Sequence, residues 1–317
     1  MKKRCLCAAA ALLSAAILFC SCKTEESAAA DTVGRFLISD GYVSEMPGET
    51  DAAMLSFAAE RINFVYDTYL SDIRGKTVFA VIPDKRVFFS GTGAAAQRAY
   101  EALCTDITGL LGFSAKVFDP RPYLSLDRYY HADVHWKQET LLPLAAALCR
   151  ELDVPFSEDI FQKKTHPDPF RGAYEREEPS LTALVDGDTL SYLTWEGMED
   201  CTVTSCQNGT PSVGVLYDSA GIADGKTDSY DFFLSGADPL ILITNPHGAA
   251  DRTLYCFRDS FASSLLPLLL PSYREIAVID QRYLHSELLG EYLTFSENAD
   301  VLFLYSAALL SRGIVLK

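Results

Sequence analysis

The sequence predicts an α/β fold in three layers, α/β/α, in which helices cover both faces of a parallel sheet. Six short apolar runs bounded by turn residues alternate with segments of helical periodicity, a pattern typical of a buried parallel sheet. A stretch from about 170 to 235 is rich in Gly, Asp and Thr and predicts a β-rich insertion. With 317 residues, 49% of them apolar, the chain can bury a large core.

Helices are predicted where apolar positions recur every three or four residues. They lie at residues 51–73, 94–111, 138–152, 261–270 and 283–295. The predicted strands are short runs of apolar residues at 78–82, 115–118, 241–244, 254–257, 276–279 and 301–304. No repeat or low-complexity linker divides the chain, so residues 34–317 are predicted to form one domain that contains the insertion.

The N-terminus has the pattern of an export signal. Basic residues at positions 2–4 precede an apolar run, Cys5–Phe19, that is shorter than the ~20 residues of a spanning helix. Of the two cysteines that follow, Cys22 stands behind a small residue and resembles the lipidated cysteine of a bacterial lipobox, whereas Cys20 stands behind the bulky Phe19. We therefore expect residues 1–21 to be a lipoprotein-type signal peptide and 22–33 a tether to the cell membrane. Plain secretion is the alternative.

The chain is acidic. It carries 27 Lys and Arg against 43 Asp and Glu, a net charge of −16. The predicted signal peptide contains three of the basic residues and no acid, so its removal would bring the net charge to −19. This balance argues against nucleic acid or an anionic membrane as a direct partner. We expect membrane attachment through the lipid alone, and a substrate that is neutral or cationic unless the site is locally positive.

Five cysteines follow the predicted lipidation site, an odd number that excludes complete pairing within the chain. Cys201 and Cys206 bracket four residues and could close a small loop. No cysteine and histidine spacing of a metal site is present. The sequence therefore predicts no metal and no cofactor.

The octet 129–136, YYHADVHW, places an acid and an imidazole two residues apart. If the segment is extended, the side chains of Asp133 and His135 point to the same face. A carboxylate that holds an imidazole is what a general base needs. A structural hydrogen-bonded pair is the simpler alternative, and His131, Asp133 and His135 could instead be three metal ligands on one face.

Polar turns follow four of the predicted strands, at residues 83–85, 245–247, 258–260 and 280–282. Ligands of doubly wound sheets bind outside the carboxyl ends of the strands. Ser260 follows a predicted strand and opens a predicted helix, where backbone N–H groups can hold an oxyanion. Asp and Ser are also the usual N-cap residues, so capping is the alternative role.

The octet resembles the signature of the DHHW family of bacterial exported proteins. Four further blocks resemble family blocks in the same order, at residues 81–85, 230–236, 258–264 and 278–283. Together they span most of residues 31–317. That family is similar to the SGNH-type alginate O-acetyltransferases, in which an Asp-x-His motif precedes the serine motif. The resemblance implies an SGNH-hydrolase-like fold and a triad of Ser260 as nucleophile, His135 as base and Asp133 as its orienting carboxylate.

Two positions depart from the family pattern. Val134 stands at the second letter of the motif, where the family has its first histidine, and Ala237 stands where a Gly-Asn pair would supply an oxyanion donor. Gly236 remains a candidate backbone donor, and Asn245 is a candidate substitute for the missing side chain. Two cationic residues after strand ends, Lys85 and Arg282, are candidates for binding an anionic substrate.

Three functional hypotheses follow. The first is a lipid-anchored, SGNH-like O-acyltransferase or esterase that acts on a cell-envelope or extracellular polysaccharide. The second is a non-catalytic pseudo-enzyme that binds glycan or acts as a scaffold, which the alanine at position 237 favours. The third is a metal-dependent hydrolase that uses the acid and the two histidines of the octet.

Overall fold

A computed structural model of the chain describes residues 31–207, 210–223, 225, 227–312 and 315–317. The predicted signal peptide, the lipidation site Cys22 and the tether up to residue 30 lie outside these residues. Among the described residues, no helix combines the length and the apolar character needed to cross a membrane.

Strands and helices occur along the whole described part of the chain. The strands are β1 (Asp31–Val33), β2 (Phe36–Ser39), β3 (Tyr42–Glu45), β4 (Thr77–Ile82), β5 (Lys116–Phe118), β6 (Gln162–Phe170), β7 (Asp188–Thr194), β8 (Thr202–Gln207), β9 (Thr210–Val213), β10 (Leu240–Thr244), β11 (Ala250–Arg258), β12 (Tyr273–Ile279) and β13 (Ala299–Ser306). The helices are α1 (Ala52–Val65), α2 (Gly93–Gly109), α3 (Leu142–Glu151), α4 (Ala173–Glu177), α5 (Ser219–Ile222), α6 (Ala262–Leu269), α7 (Leu289–Tyr292) and α8 (Ala307–Ser311).

The central sheet has eight strands in the order β5-β4-β13-β11-β12-β10-β8-β9. The first five are parallel, and β10, β8 and β9 continue the sheet in antiparallel pairs. The middle strand of the five parallel ones, β13, is buried along its whole length, because helices cover both faces of the sheet. Because β4, β13, β11 and β12 are parallel, their carboxyl ends lie at the same edge of the sheet.

Two apolar clusters make up the core, one on each face of the sheet. On one face, Leu144 and Leu148 of α3 pack with Leu265 and Leu269 of α6. On the other face, α1, α2 and α8 contribute buried side chains, among them Ile62. Helix, sheet and helix are thus stacked in three layers, so the predicted α/β/α fold is confirmed.

The segment predicted as a β-rich insertion contains strands β7, β8 and β9. The last two extend the central sheet, whereas β7 pairs with β6 in a separate two-stranded sheet.

Strand β8 excludes a disulfide between Cys201 and Cys206. The five-residue separation along an extended strand places them roughly 16 Å apart, beyond the reach of a disulfide. All five described cysteines are free.

Two predictions of secondary structure were wrong. The apolar run at residues 241–244 is a strand, but β10 runs antiparallel to β12 rather than parallel to it. The helix predicted at 283–295 is reduced to α7, with a short helical turn before it. Gly290 lies inside this segment and weakens a helix there by about 1 kcal/mol relative to alanine.

Candidate active site

Three segments meet at the carboxyl edge of the parallel strands. They are the loop 129–136, the segment 228–236 and the turn 258–261 between β11 and α6. The loop and the turn contribute the side chains that the sequence marked for catalysis. The segment 228–236 packs an aromatic ring against them.

A continuous chain of hydrogen bonds joins Asp133, His135 and Ser260. Oδ1 of Asp133 lies 2.6 Å from Nδ1 of His135, and Nε2 of His135 lies 2.7 Å from Oγ of Ser260. The carboxylate is fully buried and the imidazole is 7% exposed, while the serine is partly exposed. The arrangement opens to solvent at the hydroxyl, which is where a substrate would approach a nucleophile.

The loop that carries Asp133 and His135 is a turn and not the extended segment that the sequence analysis considered. Tyr129 and Trp136 pair as an isolated antiparallel bridge, and the N–H of Tyr130 donates to the carbonyl of His135 at 3.1 Å. At the tip, Oδ1 of Asp133 accepts the main-chain N–H of His135 at 2.8 Å. This side-chain-to-backbone bond, characteristic of an Asx turn, brings the acid to its imidazole without a strand.

The second carboxylate oxygen of Asp133 is held from another part of the chain. Oδ2 accepts the N–H of Ala173, at the start of α4, at 2.7 Å. Burial alone would raise the pKa of Asp133, but the charge of His135 and the hydrogen bonds from His135 and Ala173 outweigh it. They hold the pKa of Asp133 below its usual value, so the group stays an anion that orients the imidazole.

Lys85 supports the same loop from below. Its ammonium is fully buried and donates to the carbonyl of Tyr130 at 2.6 Å, with further bonds to the carbonyls of His131 and Asp133. Burial lowers the pKa of Lys85 to about 8, while nearby carboxylates oppose the shift. The predicted role of Lys85 in binding an anionic substrate was wrong, because its ammonium is enclosed and already fully engaged.

Ser260 is not an N-cap, because α6 begins at Ala262 and no side chain caps it. The neighbouring Asp259 instead holds the turn before the helix, since its Oδ1 accepts the N–H of Phe261 at 3.1 Å. Its Oδ2 accepts the N–H of Ser306, at the end of β13, at 2.7 Å. Asp259 thereby fixes the turn from two sides and leaves the hydroxyl of Ser260 to His135.

The candidate oxyanion donors differ in availability. The N–H of Ser260 has no acceptor among the residues that the structure describes. The N–H of Gly236 donates to the carbonyl of Phe233 at 3.2 Å, within a turn in which Leu234, Ser235 and Gly236 all have positive φ. Two consecutive non-glycine residues in this region store backbone strain, a feature that clusters at functional sites. Ala237, which follows, is exposed and offers no side-chain donor.

Asn245 does not reach the site. It follows β10, whose antiparallel direction carries its carboxyl end to the opposite edge of the sheet, beside Glu275 at the beginning of β12. Its side chain is buried there and donates to the carbonyl of Leu270 at 2.9 Å. The predicted substitution for the missing oxyanion donor was therefore wrong.

Arg282 lies at the predicted edge, after β12, but it is paired. Its guanidinium donates to both carboxylate oxygens of Asp280 at 2.9 and 2.6 Å. Asp280 is also within 3.7 Å of the fully buried Arg258, which in turn contacts the carbonyl of Gly236. A role for Arg282 in binding substrate stays a prediction.

His131 faces away from the other two candidate metal ligands. Its Nδ1 lies 2.8 Å from Oδ1 of Asp188, and its ring stacks on Tyr42. Lys137 also pairs with Asp188, at 3.1 Å. Among the described residues, no three His, Cys, Asp or Glu side chains converge as a metal site. The geometry does not support the hypothesis of a metal-dependent hydrolase.

Sequence reasoning missed the aromatic ring that stacks on the imidazole. The ring of Tyr230 stacks on His135 with a centroid separation of 3.6 Å and an interplanar angle of 4°. Phe261 packs against the imidazole as well, tilted by 58° at 4.8 Å. The block 230–236 was marked by family resemblance, but no feature of the sequence alone indicates that its tyrosine meets His135.

Two more carboxyl groups flank Tyr230 and act on the triad through their charge. Burial, reinforced by the charge of Asp133, raises the pKa of Asp228 to about 7. Burial also raises the pKa of Asp231. The charge of His135 acts in the opposite direction on both groups, so both carboxyl groups lie within electrostatic reach of the triad.

No protein-family model and no curated protein sequence matches the chain. Solved structures do match it. A DHHW family protein from Eubacterium siraeum superposes with a TM-score of 0.66 at 20% identity, over 90% of this chain and 96% of that one. Bacillus cereus PatB1 superposes with a TM-score of 0.64 at 16% identity, over 89% of this chain and 99% of that one.

A second structure of PatB1, which holds a sulfonyl adduct, gives a TM-score of 0.63 at 17% identity, over 89% of this chain and 97% of that one. These superpositions confirm, at the level of the fold, the predicted resemblance to the DHHW family and the α/β/α architecture.

Proposed function

We propose that this chain is a serine-dependent O-acyltransferase or esterase. The observation that carries the proposal is the hydrogen-bonded chain from Asp133 through His135 to Ser260, which ends at a partly exposed hydroxyl. A buried carboxylate that fixes the imidazole, with the imidazole against a hydroxyl, is the arrangement of a serine nucleophile and its base.

The reaction needs two acyl transfers. Oγ of Ser260 attacks the acyl carbonyl while Nε2 of His135 takes its proton, and the anionic Asp133 stabilises the imidazolium. The imidazolium then protonates the leaving alkoxide, which leaves an acyl-serine. A sugar hydroxyl or water next attacks the acyl-serine and gives its proton to His135, and Ser260 recovers that proton. We propose that the free N–H of Ser260 donates to the oxyanion of each tetrahedral intermediate.

The proposed substrate is a cell-envelope or extracellular polysaccharide that is neutral or cationic. The net charge of −16 supports this choice over a polyanion. We further propose that the protein is held outside the cytoplasm by a lipid on Cys22. In cell fractionation, Cys22→Ser should move the protein from the membrane to the soluble fraction. Retention in the membrane would contradict the lipid anchor.

The test of catalysis is hydrolysis of an acetyl ester reporter by the purified full-length chain. We expect Ser260→Ala to reduce turnover by about 10³-fold or more. Ser311→Ala, which changes a serine of α8, is the matched control and should keep the wild-type rate. Equal turnover by wild type and Ser260→Ala would disprove the nucleophile. Turnover that survives Ser260→Ala but stops with a chelator would show metal-dependent hydrolysis instead.

A non-catalytic glycan-binding role is the second candidate. Two observations favour it, since the N–H of Gly236 is already engaged and Ala237 lacks a donor. Loss of one oxyanion donor costs about 10²–10³ in rate. This candidate predicts that polysaccharide binds equally well to wild type and Ser260→Ala, with no turnover of any acyl ester by either protein.

A further inference from the structure

The aromatic ring of Tyr230 lies flat on the imidazole of His135, and no catalytic step described above uses it. The two rings are separated by 3.6 Å and are parallel within 4°. The two hydrogen bonds of the imidazole, to Asp133 and Ser260, both lie at ring nitrogens. They fix those two atoms but resist rotation about the line between them only weakly. A ring stacked face to face opposes that rotation directly.

The hydroxyl of Tyr230 fixes the stacked ring in place. It lies 2.7 Å from Oγ of Ser264 and donates to the carbonyl of Phe261 at 3.1 Å. The indole of Trp136 donates to the same two oxygen atoms, at 3.0 and 3.1 Å. Phe261 and the first turn of α6 follow Ser260 in the chain. They therefore hold both Trp136, which is next to His135 in sequence, and the ring of Tyr230. Burial raises the pKa of the Tyr230 phenol far above its usual value, so it remains a neutral donor.

We infer that Tyr230 is a positioning residue for the proposed acyl transfer, and that it holds the imidazole of His135 in the plane that aims Nε2 at Ser260. The face of the phenol ring also attracts the imidazolium that forms when the serine is deprotonated. The inference rests on the proposed function, since it assigns Tyr230 to the same triad.

The contrasting role is that of an aromatic side chain that only fills the core. Tyr217 shows this role in the same region, because it stacks on Phe232 at 5.0 Å and 8° and bonds to Gln138 without touching His135. It also packs against the small apolar cluster that contains Tyr230. Tyr217 is therefore the matched control for a substitution of Tyr230.

The test measures how fast phenylmethanesulfonyl fluoride labels Ser260 in the full-length chain, by mass spectrometry. In this reaction the serine oxygen bonds to sulfur, fluoride leaves, and His135 takes the proton, so no knowledge of the natural substrate is needed. We expect Tyr230→Leu to slow labelling by about 10- to 100-fold, as a small misplacement of a catalytic group does. Tyr230→Phe keeps the stacked ring and should stay within about fivefold of wild type, the effect of one hydrogen bond.

The control and a spectroscopic signal complete the test. Tyr217→Leu should label at the wild-type rate. The proton between His135 Nδ1 and Asp133 should give a low-field NMR signal in wild type and Tyr230→Phe, and a broadened or lost signal in Tyr230→Leu. If Tyr230→Leu does not fold, Tyr230→Met, which keeps more side-chain volume, replaces it.

The inference is overturned if a folded Tyr230→Leu keeps the wild-type labelling rate and low-field signal, or if Tyr217→Leu slows labelling as much. Failure of the proposed function looks different. In that case wild type itself is not labelled at Ser260, and the NMR signal alone decides the role of Tyr230. A signal lost in Tyr230→Leu then supports positioning of the imidazole, and an unchanged signal contradicts it.

Discussion

The main-chain N–H of Ala173 donates to Oδ2 of Asp133 at 2.7 Å, from a segment forty residues further along the chain. The other oxygen, Oδ1, accepts both the N–H and the ring Nδ1 of His135. Every partner of this carboxylate is thus a donor. The acid that orients the imidazole is itself oriented, so its geometry does not depend on the loop 129–136 alone.

Asp133→Asn should abolish most of the activity and leave the protein folded. The NH2 group that replaces one carboxylate oxygen must face a donor, from either Ala173 or His135, and cannot accept a hydrogen bond from it. The imidazole then loses the carboxylate that fixes its tautomer and the negative charge that stabilises the imidazolium. We expect kcat to fall by about 10³–10⁴-fold in the ester assay.

Asp188→Asn is the control for this prediction. Asp188 also accepts a main-chain N–H and the ring Nδ1 of a histidine, His131, but that histidine does not contact Ser260. Asp188→Asn should therefore reduce kcat far less than Asp133→Asn does. Equal losses in the two variants would mean that both acids act only by shaping the loop.

Gly172→Ala should disturb Asp133 through a steric contact. A Cβ on Gly172 would lie 2.5 Å from both the carbonyl oxygen of Ala132 and Cβ of Asp133, and the backbone cannot yield without moving the loop. We expect a loss in kcat of about 10- to 100-fold, because a displaced carboxylate misaligns the base. Gly187→Ala, where a Cβ meets nothing within 4 Å, should have the wild-type rate. Unchanged kcat in Gly172→Ala would show that the loop tolerates the shift.

The parallel half of the fold and the position of Ser260 were accessible from the sequence for one physical reason, whereas Asp133 and His135 were assigned to the triad by the family resemblance. Parallel strands end at a common edge, so residues after separate strands meet there. Asp84, Ser260 and Asp280 all follow this rule, as β4, β11 and β12 are parallel neighbours or near neighbours. Asn245 does not, because an apolar strand reads the same in either direction and nothing local distinguishes β10 from its parallel neighbours.

The supporting contacts could not be predicted, since they depend on the packing of distant segments. Lys85 reads as a surface charge after a strand, yet three carbonyls of the loop 129–136 enclose its ammonium. Tyr230 reads as one of several aromatic residues in its block. Its place on His135 depends on a distant segment, because its hydroxyl bonds to the carbonyl of Phe261 and to the hydroxyl of Ser264.

Lys85→Met should destabilise the loop beneath Asp133. The substitution leaves the carbonyls of Tyr130 and Asp133 without their donor in a buried site, a cost only partly offset by removing a buried charge. We expect the free energy of unfolding to fall by about 1–3 kcal/mol and kcat to fall with it. Urea denaturation and the ester assay measure the two effects. Lys116→Met, at an exposed ion pair with Glu151, is the control and should leave both unchanged.

Asp228→Asn should change how stability depends on pH. Burial and the charge of Asp133 raise the pKa of Asp228 to about 7 in the folded chain, against about 3.9 when unfolded. Between these values the folded state binds a proton that the unfolded state lacks, so wild type loses stability as pH rises from 4 to 7. The side-chain oxygen of an asparagine can still accept the N–H of Tyr230, as Oδ1 of Asp228 does at 2.9 Å. Because asparagine does not titrate, the variant should not lose this stability as the pH rises.

The variant should therefore gain stability relative to wild type as pH rises through this window, by up to about 4 kcal/mol. Urea denaturation at pH 5 and pH 8 measures the difference between the two proteins. Asp251→Asn, at a fully exposed carboxylate, supplies the control and should follow the wild-type curve. If the free energy of unfolding changed with pH in the same way for Asp228→Asn and wild type, Asp228 would be ionised throughout this range. The triad would then lie beside a full negative charge at neutral pH.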